Sequence, residues 1–131
     1  MILVDTSFWI ELFNSKKPRS ITDDQFRELA VCPPVIQEVL QGIDDPSTQG
    51  SILNALLGFE ILGEPLGVNL YISAAEIYSA GRRKGLTIRS SIYCLIAAIA
   101  IDSKVPILHK DRDFDVISKF TPLEVRTSLL G

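Results

Sequence analysis

Short apolar runs alternate along the chain with longer stretches in which apolar residues recur every three or four positions. Each run is too short for a buried helix and is typical of a strand covered on both faces of a parallel sheet. The predicted strands are residues 1–4, 31–32, 59–62, 105–108 and 123–125. The stretches between them predict helices over about residues 8–13, 21–30, 34–42, 47–57, 69–84, 92–101 and 111–119. This alternation predicts an α/β fold, with a central, mostly parallel β-sheet flanked by helices on both faces.

Capping residues are expected at four of the helix starts, one of them within residues 44–47 before the fourth helix. A short polar side chain placed before a helix accepts hydrogen bonds from the first backbone N–H groups of that helix. Thr6 or Ser7 is predicted to cap the first helix. Asn69 is predicted to cap the long fifth helix, and Ser90 or Ser91 the apolar sixth helix.

Length and composition fit one globular domain over residues 1–131. Of these residues 47% are apolar and 22% are charged, which is ordinary for a domain with a real core. No apolar run reaches the ~20 residues that a membrane helix needs. The N-terminus lacks a basic segment followed by a cleavage site, so it is not expected to be a signal peptide. A cytoplasmic protein is therefore predicted, with Cys32 and Cys94 as reduced thiols in the core.

The charge pattern is uneven. The formal net charge of −3 by itself argues against a nucleic-acid-binding protein, but the distribution of charge matters more than its sum. Basic residues group at residues 16–19 and at Arg82, Arg83 and Lys84, with Arg89 nearby. If a metal neutralised part of the acidic charge, these clusters would leave a local positive field.

Four acids beside apolar segments carry the candidate chemistry. Asp5 ends the first predicted strand, Glu38 lies within an apolar helix, and Asp111 and Asp113 follow the fourth strand. In parallel sheets, ligands bind at the carboxyl ends of strands, where Asp5 and Asp111 are expected. Converging carboxylates would suit Mg²⁺ or Mn²⁺. Taken singly, each acid has an ordinary alternative as a helix cap or a solvated surface charge.

Other site chemistries find little support. The single histidine, His109, is too little for a zinc site built on imidazoles, and no Cys-x-x-Cys, glycine-rich phosphate loop or Gly-x-Ser-x-Gly occurs. A phosphatase of the haloacid dehalogenase type would also begin with a strand and an acid such as Asp5. That chemistry requires a second aspartate two positions later, where this chain has Ser7.

Four segments in order carry a resemblance to a known family. They are residues 2–7, the Glu38 helix followed by residues 41–42, residues 95–98, and residues 108–114. Their order and context resemble the PIN-domain ribonucleases, most closely the VapC toxins of bacterial and archaeal toxin–antitoxin pairs, over nearly the whole chain. The resemblance implies a PIN-like fold, a Mg²⁺- or Mn²⁺-dependent endoribonuclease and usually a homodimer. It also implies a cognate VapB-like antitoxin that wraps the toxin and inserts a basic side chain into the acidic pocket.

The resemblance assigns roles residue by residue. It makes Asp5, Glu38, Asp111 and Asp113 the catalytic, metal-binding acids of the site, with Asp113 as the auxiliary member of the set. Thr6 or Ser7 matches a hydroxyl that often supports this site. With RNA as the substrate, the basic residues outside the site become candidate RNA contacts: Arg82, Arg83, Lys84 and Arg89.

The chain departs from the family pattern at Tyr93. The family normally carries its third acid two residues ahead of the leucine that is Leu95 here. A phenol has a pKa of about 10, so it is neutral at physiological pH, and it is a poor ligand for a hard cation. Either Tyr93 inactivates the enzyme, as a natural or an introduced change, or the chain is a natural variant that works with four acids. Retention of the other four acids favours inactivation. The alternative function is a catalytically inactive PIN-like module that binds an antitoxin or RNA.

Overall fold

The computed structural model describes residues 1–14 and 21–129. The basic run at residues 16–19 lies outside these ranges. In chain order, the described elements are β1 (Ile2–Val4), α1 (Thr6–Asn14), α2 (Asp23–Glu28), β2 (Leu29–Val31), α3 (Pro33–Gln41), α4 (Pro46–Leu56), β3 (Glu60–Ile61), α5 (Val68–Arg83), α6 (Ser91–Ser103), β4 (Ile107–Leu108), α7 (Arg112–Ser118) and β5 (Val125–Arg126). Within the described residues, no helix is both long and apolar enough to cross a membrane.

The strands form one sheet in the order β3-β2-β1-β4-β5. Every strand pairing is parallel, with Leu3 of β1 opposite Ala30 of β2 on one side and Ile107 of β4 on the other. The three central strands are fully buried, as expected for a sheet with helices packed against it. The predicted α/β fold with a parallel sheet and flanking helices is confirmed.

The core joins the sheet to the long helices. Helix α6 buries an almost continuous apolar run, and it packs chiefly against α5. Trp9 is completely buried, donates its indole N–H to the carbonyl oxygen of Val4 at 3.0 Å, and meets the edge of the Phe59 ring. Cys32 and Cys94 are buried and free. The start of the fold is thereby fixed against the sheet, directly beside the end of β1.

Three strand boundaries differ from the prediction. β2 begins at Leu29, within the segment predicted to be the end of a helix, because residues 29–31 are buried and pair with both β1 and β3. β4 begins only at Ile107, since Pro106 has no N–H to donate to a neighbouring strand. β5 lies at Val125–Arg126, later than predicted, where it pairs with β4.

The cap predicted within residues 44–47 is confirmed, since the Asp45 side chain accepts from the backbone N–H of Thr48 at 2.8 Å, but the other three predicted side-chain caps are wrong. Gly67, not Asn69, precedes α5, and Ser90 precedes α6 without a capping hydrogen bond from its side chain. Thr6 and Ser7 lie inside α1, and their hydroxyls donate to carboxylates elsewhere. Both residues lie in the first turn of α1, after the position from which a side chain can cap the helix.

Helix α2 has a complete capping box, which makes a first prediction. The N–H of Gln25 donates to the Thr22 hydroxyl at 3.1 Å, and the Thr22 N–H donates to the Gln25 side chain at 2.9 Å. We expect Thr22→Ala to lower the free energy of unfolding by about 1 kcal/mol, measured by urea denaturation. Exposed Thr87, which lies outside the helices, is the matched control, and Thr87→Ala should change stability by less than about 0.5 kcal/mol. Equal losses in both variants would contradict the cap.

Candidate acidic site at the ends of the central strands

The site lies where β1 and β4 end side by side. Asp5 follows β1 directly, and its backbone N–H donates to the carbonyl oxygen of Leu108 at the end of β4 at 2.9 Å. Asp111 follows β4 closely, so both acids reach the same edge of the sheet. Helix α3 brings Glu38 to the same place. The three acids share a pocket of about 220 Å³, whose lining is Asp5, Thr6, Ser7, Ile10, Glu38, Tyr93, Lys110 and Asp111.

Asp5 is the most deeply placed acid of this pocket. Only 3% of the residue is exposed, and its Oδ2 accepts a hydrogen bond from the Ser7 hydroxyl at 3.3 Å. Its Oδ1 is buried and has no hydrogen-bond partner among the described residues. Burial, with smaller contributions from the charges of Glu38 and Asp111, raises the pKa of Asp5 to about 6, although hydrogen bonds oppose the shift. Asp5 therefore keeps one buried carboxylate oxygen without a donor among the described residues.

Glu38 is held by a threonine from another element. The Thr6 hydroxyl at the start of α1 donates to Glu38 Oε1 at 2.8 Å. Thr6 and Ser7 are neighbours on α1, so one turn of helix orients an acid on each side. The sequence predicted that one of the two hydroxyls would support the site, and the structure brings both into contact with acids.

Asp111 has both of its oxygens engaged. Oδ1 accepts from Arg89 Nη2 at 2.7 Å and from the backbone N–H of Asp113 at 3.0 Å. Oδ2 accepts from the Tyr93 hydroxyl at 2.9 Å. Partial burial opposes ionisation, but the N–H of Asp113, the Tyr93 hydroxyl and Arg89 together hold the pKa of Asp111 below its ordinary value. Asp111 is thus a carboxylate that the protein itself stabilises.

Asp113 does not line the pocket with the other acids. The residue is completely buried at the start of α7, and its Oδ2 accepts from Arg89 Nε at 3.0 Å. Its Oδ1 is buried and has no hydrogen-bond partner among the described residues. Asp113 therefore neighbours the pocket through Arg89 and Asp111 rather than facing it.

Arg89 lies in a different environment from the one that the sequence predicted. It was predicted as an RNA contact, but its guanidinium bridges Asp111 and Asp113. The available signal was that Arg89 is the one basic residue in residues 86–103, the segment that leads into and forms the apolar helix α6. A single basic residue in a segment near the predicted acidic site could have indicated an ion pair with those acids.

Tyr93 lies in the pocket and does not turn out toward solvent. Its ring meets the buried Phe114 ring edge-on, with centroids 5.2 Å apart. Burial, followed by the hydrogen bond to Asp111, raises the pKa of the phenol well above its ordinary value. The hydroxyl therefore stays neutral and acts as a donor toward Asp111.

His109 orients the segment that carries Asp111. The imidazole is buried, and its Nδ1 accepts from the backbone N–H of Asp111 at 3.0 Å. Because Nδ1 accepts, the neutral ring carries its proton on Nε2, which lies 3.2 Å from a carboxylate oxygen of Asp115. His109, which was not expected to bind zinc, thus has a structural role: it holds the backbone of Asp111 beside the site.

As arranged, these residues do not fit a divalent cation. Within the described ranges, no three His, Cys, Asp or Glu side chains are placed to share one ion. Asp5, Glu38 and Asp111 offer the hard oxygens that Mg²⁺ and Mn²⁺ prefer. However, Arg89 and Tyr93 occupy both oxygens of Asp111, and a phenol stands where a further carboxylate would be needed.

The predicted basic cluster at the end of α5 lies apart from the pocket lining. Arg82, Arg83 and Lys84 are exposed at the end of α5, and the Arg82 guanidinium lies 5.0 Å from the centre of the Tyr78 ring. Lys110 does line the pocket, where it pairs with Glu11 at the rim. The basic cluster at the end of α5 is therefore a separate exposed surface, distinct from the acidic pocket.

Comparison with known sequences gives matches over nearly the whole chain. The model of the PIN domain family matches residues 2–120. VapC ribonuclease Mb1587 of Mycobacterium bovis is 37% identical over 130 residues, which cover 95% of this chain and 96% of that protein. Ribonuclease VapC11 of Mycobacterium tuberculosis matches to the same extent.

Comparison with solved structures shows the same fold. VapBC2 from Rickettsia felis, bound to a DNA fragment from its promoter, matches with a TM-score of 0.76 at 20% identity, covering 96% of this chain and 98% of that chain. DNA-bound VapBC from Salmonella typhimurium matches with a TM-score of 0.76 at 14% identity, covering 95% and 96%. Fold and sequence thus lead to the same group of proteins.

Proposed function

This chain belongs to the PIN-domain family, as a relative of the VapC ribonucleases, and on that premise we propose that it is the endoribonuclease toxin of a type II toxin–antitoxin system. It would cleave RNA phosphodiester bonds and work as a single PIN-like domain over residues 1–131. We further propose that the ancestral activity depends on Mg²⁺ or Mn²⁺ and that Tyr93 impairs it in this chain.

The observation that carries the proposal is one shared pocket for three acids and a tyrosine. Asp5, Glu38 and Asp111, predicted from separate segments, line it together, and Tyr93 lines it from the position of the expected third acid. This supports roles for the three acids as catalytic and metal-binding groups, with Thr6 and Ser7 as supports. Asp113 is proposed as an auxiliary acid that acts through Arg89 and Asp111.

Impairment follows from what a phenol does at this position. A neutral hydroxyl adds no ligand charge, and the Tyr93 hydroxyl already occupies one oxygen of Asp111, an acid that would have to approach the ion. Metal binding and activation of a water should both be weakened. The residues of the chain as it stands do not fit the cation, because groups of the chain itself occupy both oxygens of Asp111.

The proposed function has a direct test. RNA cleavage is measured for the chain and for Tyr93→Asp, each with Mg²⁺ or Mn²⁺ and with EDTA. Cleavage by the Asp variant that EDTA abolishes would support the assignment. A folded Tyr93→Asp variant that neither binds metal nor cuts RNA would show that the assignment is wrong.

The partners follow from the same relatives. Several structural neighbours are VapBC toxin–antitoxin complexes, which supports a VapB-like antitoxin as the partner of this chain. We propose a homodimer in the cytoplasm, with the antitoxin covering the acidic pocket. Co-expression with a VapB-like antitoxin, followed by co-purification, would test this assembly.

A second candidate function is a catalytically inactive module that binds an antitoxin or RNA. The engagement of both Asp111 oxygens by Arg89 and Tyr93 favours it, since groups of the chain itself already satisfy this acid. Antitoxin capture without RNA cleavage in either metal, even by Tyr93→Asp, would favour this alternative.

RNA binding would have an electrostatic signature on α5. Neutralising Arg82, Arg83 and Lys84 together to glutamine should weaken RNA binding and lower the slope of log K against log salt concentration by about 2 for single-stranded RNA. Replacing Arg27, an exposed arginine on α2, with glutamine is the control. An unchanged slope in the triple variant would show that this cluster does not contact RNA. Binding of a protein partner would then be the better explanation for the basic cluster.

A further inference from the structure

One arginine contacts two acids of different depth at the edge of the acidic pocket. Arg89 Nη2 lies 2.7 Å from Asp111 Oδ1, and Arg89 Nε lies 3.0 Å from Asp113 Oδ2. A guanidinium presents several N–H donors in a rigid plane, so a single side chain can satisfy two carboxylates at fixed angles. The geometry places one positive charge between two negative ones.

Tyr93 completes the arrangement from the opposite side. Its hydroxyl donates to Asp111 Oδ2 at 2.9 Å, while Arg89 and a backbone N–H occupy Oδ1. The Tyr93 ring is fixed in turn by the buried Phe114 ring. Asp111 consequently has no oxygen left uncommitted.

This arrangement answers a physical problem that the acids create. Carboxylates gathered in one place repel one another, and the completely buried Asp113 would be costly as an unpaired ion. A bound cation is one means of relieving that cost. Here a cation that belongs to the chain lies at the acids, and no three acids among the described residues are placed to share another.

We infer that Arg89 and Tyr93 form an internal clamp that takes the place of a divalent cation at Asp111 and Asp113. The clamp orders the acidic site without metal, and it must open before a metal ion or a basic side chain of a partner can reach Asp111. Arg89 is a positioning residue in this view, since it acts through the two acids. The inference rests on the proposed function only in taking Asp111 as a residue of the functional site.

The test combines thermal unfolding with Mn²⁺ binding, and it uses no RNA. The proteins are the unmodified chain, Arg89→Gln, Arg89→Lys and Tyr93→Phe, with Arg27→Gln as the matched control. Arg27 also pairs with an aspartate, Asp24, but that pair is almost fully exposed. Melting is followed by circular dichroism in EDTA, and free Mn²⁺ is counted by electron paramagnetic resonance.

Loss of the clamp should weaken the metal-free fold and open the site. In EDTA, Arg89→Gln should melt about 5 °C below the unmodified chain, Arg89→Lys should recover part of this loss, and Arg27→Gln should melt unchanged. Mn²⁺ should bind Arg89→Gln and Tyr93→Phe about tenfold more tightly than the unmodified chain. Added Mn²⁺ should raise the melting temperature of Arg89→Gln more than that of the unmodified chain.

Two results would overturn the clamp: an Arg89→Gln protein that melts with the unmodified chain in EDTA, or one whose Mn²⁺ affinity is unchanged or weaker. If Arg89→Gln does not fold, the folding of the double variant Arg89→Gln/Asp113→Asn is measured instead. Recovered folding supports the clamp, because the unpaired Asp113 charge was then the cause, and a double variant that stays unfolded contradicts it. Failure of Tyr93→Asp to cleave RNA would reject the proposed function and leave these measurements unaffected.

Discussion

Replacing Tyr93 with aspartate is expected to raise Mg²⁺- or Mn²⁺-dependent RNA cleavage by at least about 100-fold. The change removes the phenol that donates to Asp111 Oδ2 and adds a carboxylate to the pocket that Asp5 and Glu38 already line. With Asp111 also in the lining, this fourth carboxylate should allow the pocket to hold a cation that the present arrangement does not. Cleavage of a generic single-stranded RNA, measured against protein concentration with each metal, gives the rate.

Matched variants separate the new charge from the loss of the ring. Tyr93→Asn has nearly the same size as the aspartate but no charge, and it should remain as inactive as the unmodified chain. Adding Asp5→Asn to Tyr93→Asp should return cleavage to background, since the deepest acid of the pocket is then lost. Equal cleavage by the Asn and Asp variants would show that bulk, not charge, limits this site.

Asp5→Asn alone is expected to stabilise the fold at neutral pH by as much as about 3 kcal/mol. The pKa of Asp5 is raised from 3.8 to about 6, chiefly by burial, and each pKa unit corresponds to about 1.4 kcal/mol. Its Oδ1 is buried and has no hydrogen-bond partner among the described residues, so an amide there removes a buried charge without breaking a bond at that atom. Urea denaturation of both proteins at several pH values measures the difference.

The pH dependence gives this prediction its sign. A carboxyl whose folded pKa exceeds its unfolded pKa binds its proton more tightly in the folded state. Asp5 therefore costs no stability below about pH 4, where it is protonated in both states. The cost grows as the pH rises from about 4 to 6 and is complete above that. Asp5→Asn should match the unmodified chain at low pH and exceed it at pH 7.

An exposed acid supplies the control for this series. Asp44, in the loop before α4, is exposed, and Asp44→Asn should change the free energy of unfolding by less than about 0.5 kcal/mol at every pH. A stabilisation by Asp5→Asn that is equal at pH 4 and pH 7 would contradict the assigned burial cost. Stability gained together with activity lost, in the Tyr93→Asp background, is the trade-off expected of a site built from buried charge.

The pKa values of Asp5 and Asp111 are shifted in opposite directions, although the two acids share one pocket. Burial without a full set of partners raises the pKa of Asp5, whereas the donors around Asp111 hold its pKa below the ordinary value. As the pH falls, Asp5 takes up its proton first. The backbone N–H of Asp113, Tyr93 and Arg89 thus favour the charged form of Asp111, whereas burial disfavours the charged form of Asp5.

The architecture and the location of the site could be predicted from the order of residues alone. Period and run length distinguish strands from helices, and parallel strands bring their carboxyl ends to one edge of the sheet. Asp5 and Asp111 could therefore be assigned to one pocket, whereas Tyr93, two residues ahead of Leu95, could be singled out only by the resemblance to the PIN-domain family. These features depend on local patterns along the chain, which the sequence displays directly.

The pairing of the side chains could be established only from the folded arrangement. Thr6 donates to Glu38 instead of capping a helix, Arg89 pairs with Asp111 and Asp113 although its side chain is exposed, and Asp113 lies beside the pocket instead of in it. Each donor pairs with one of several possible partners that are distant in sequence and differ by only about 1 kcal/mol in hydrogen-bond energy. Such pairings depend on rotamer, depth and distance, for which the chain carries no local signature.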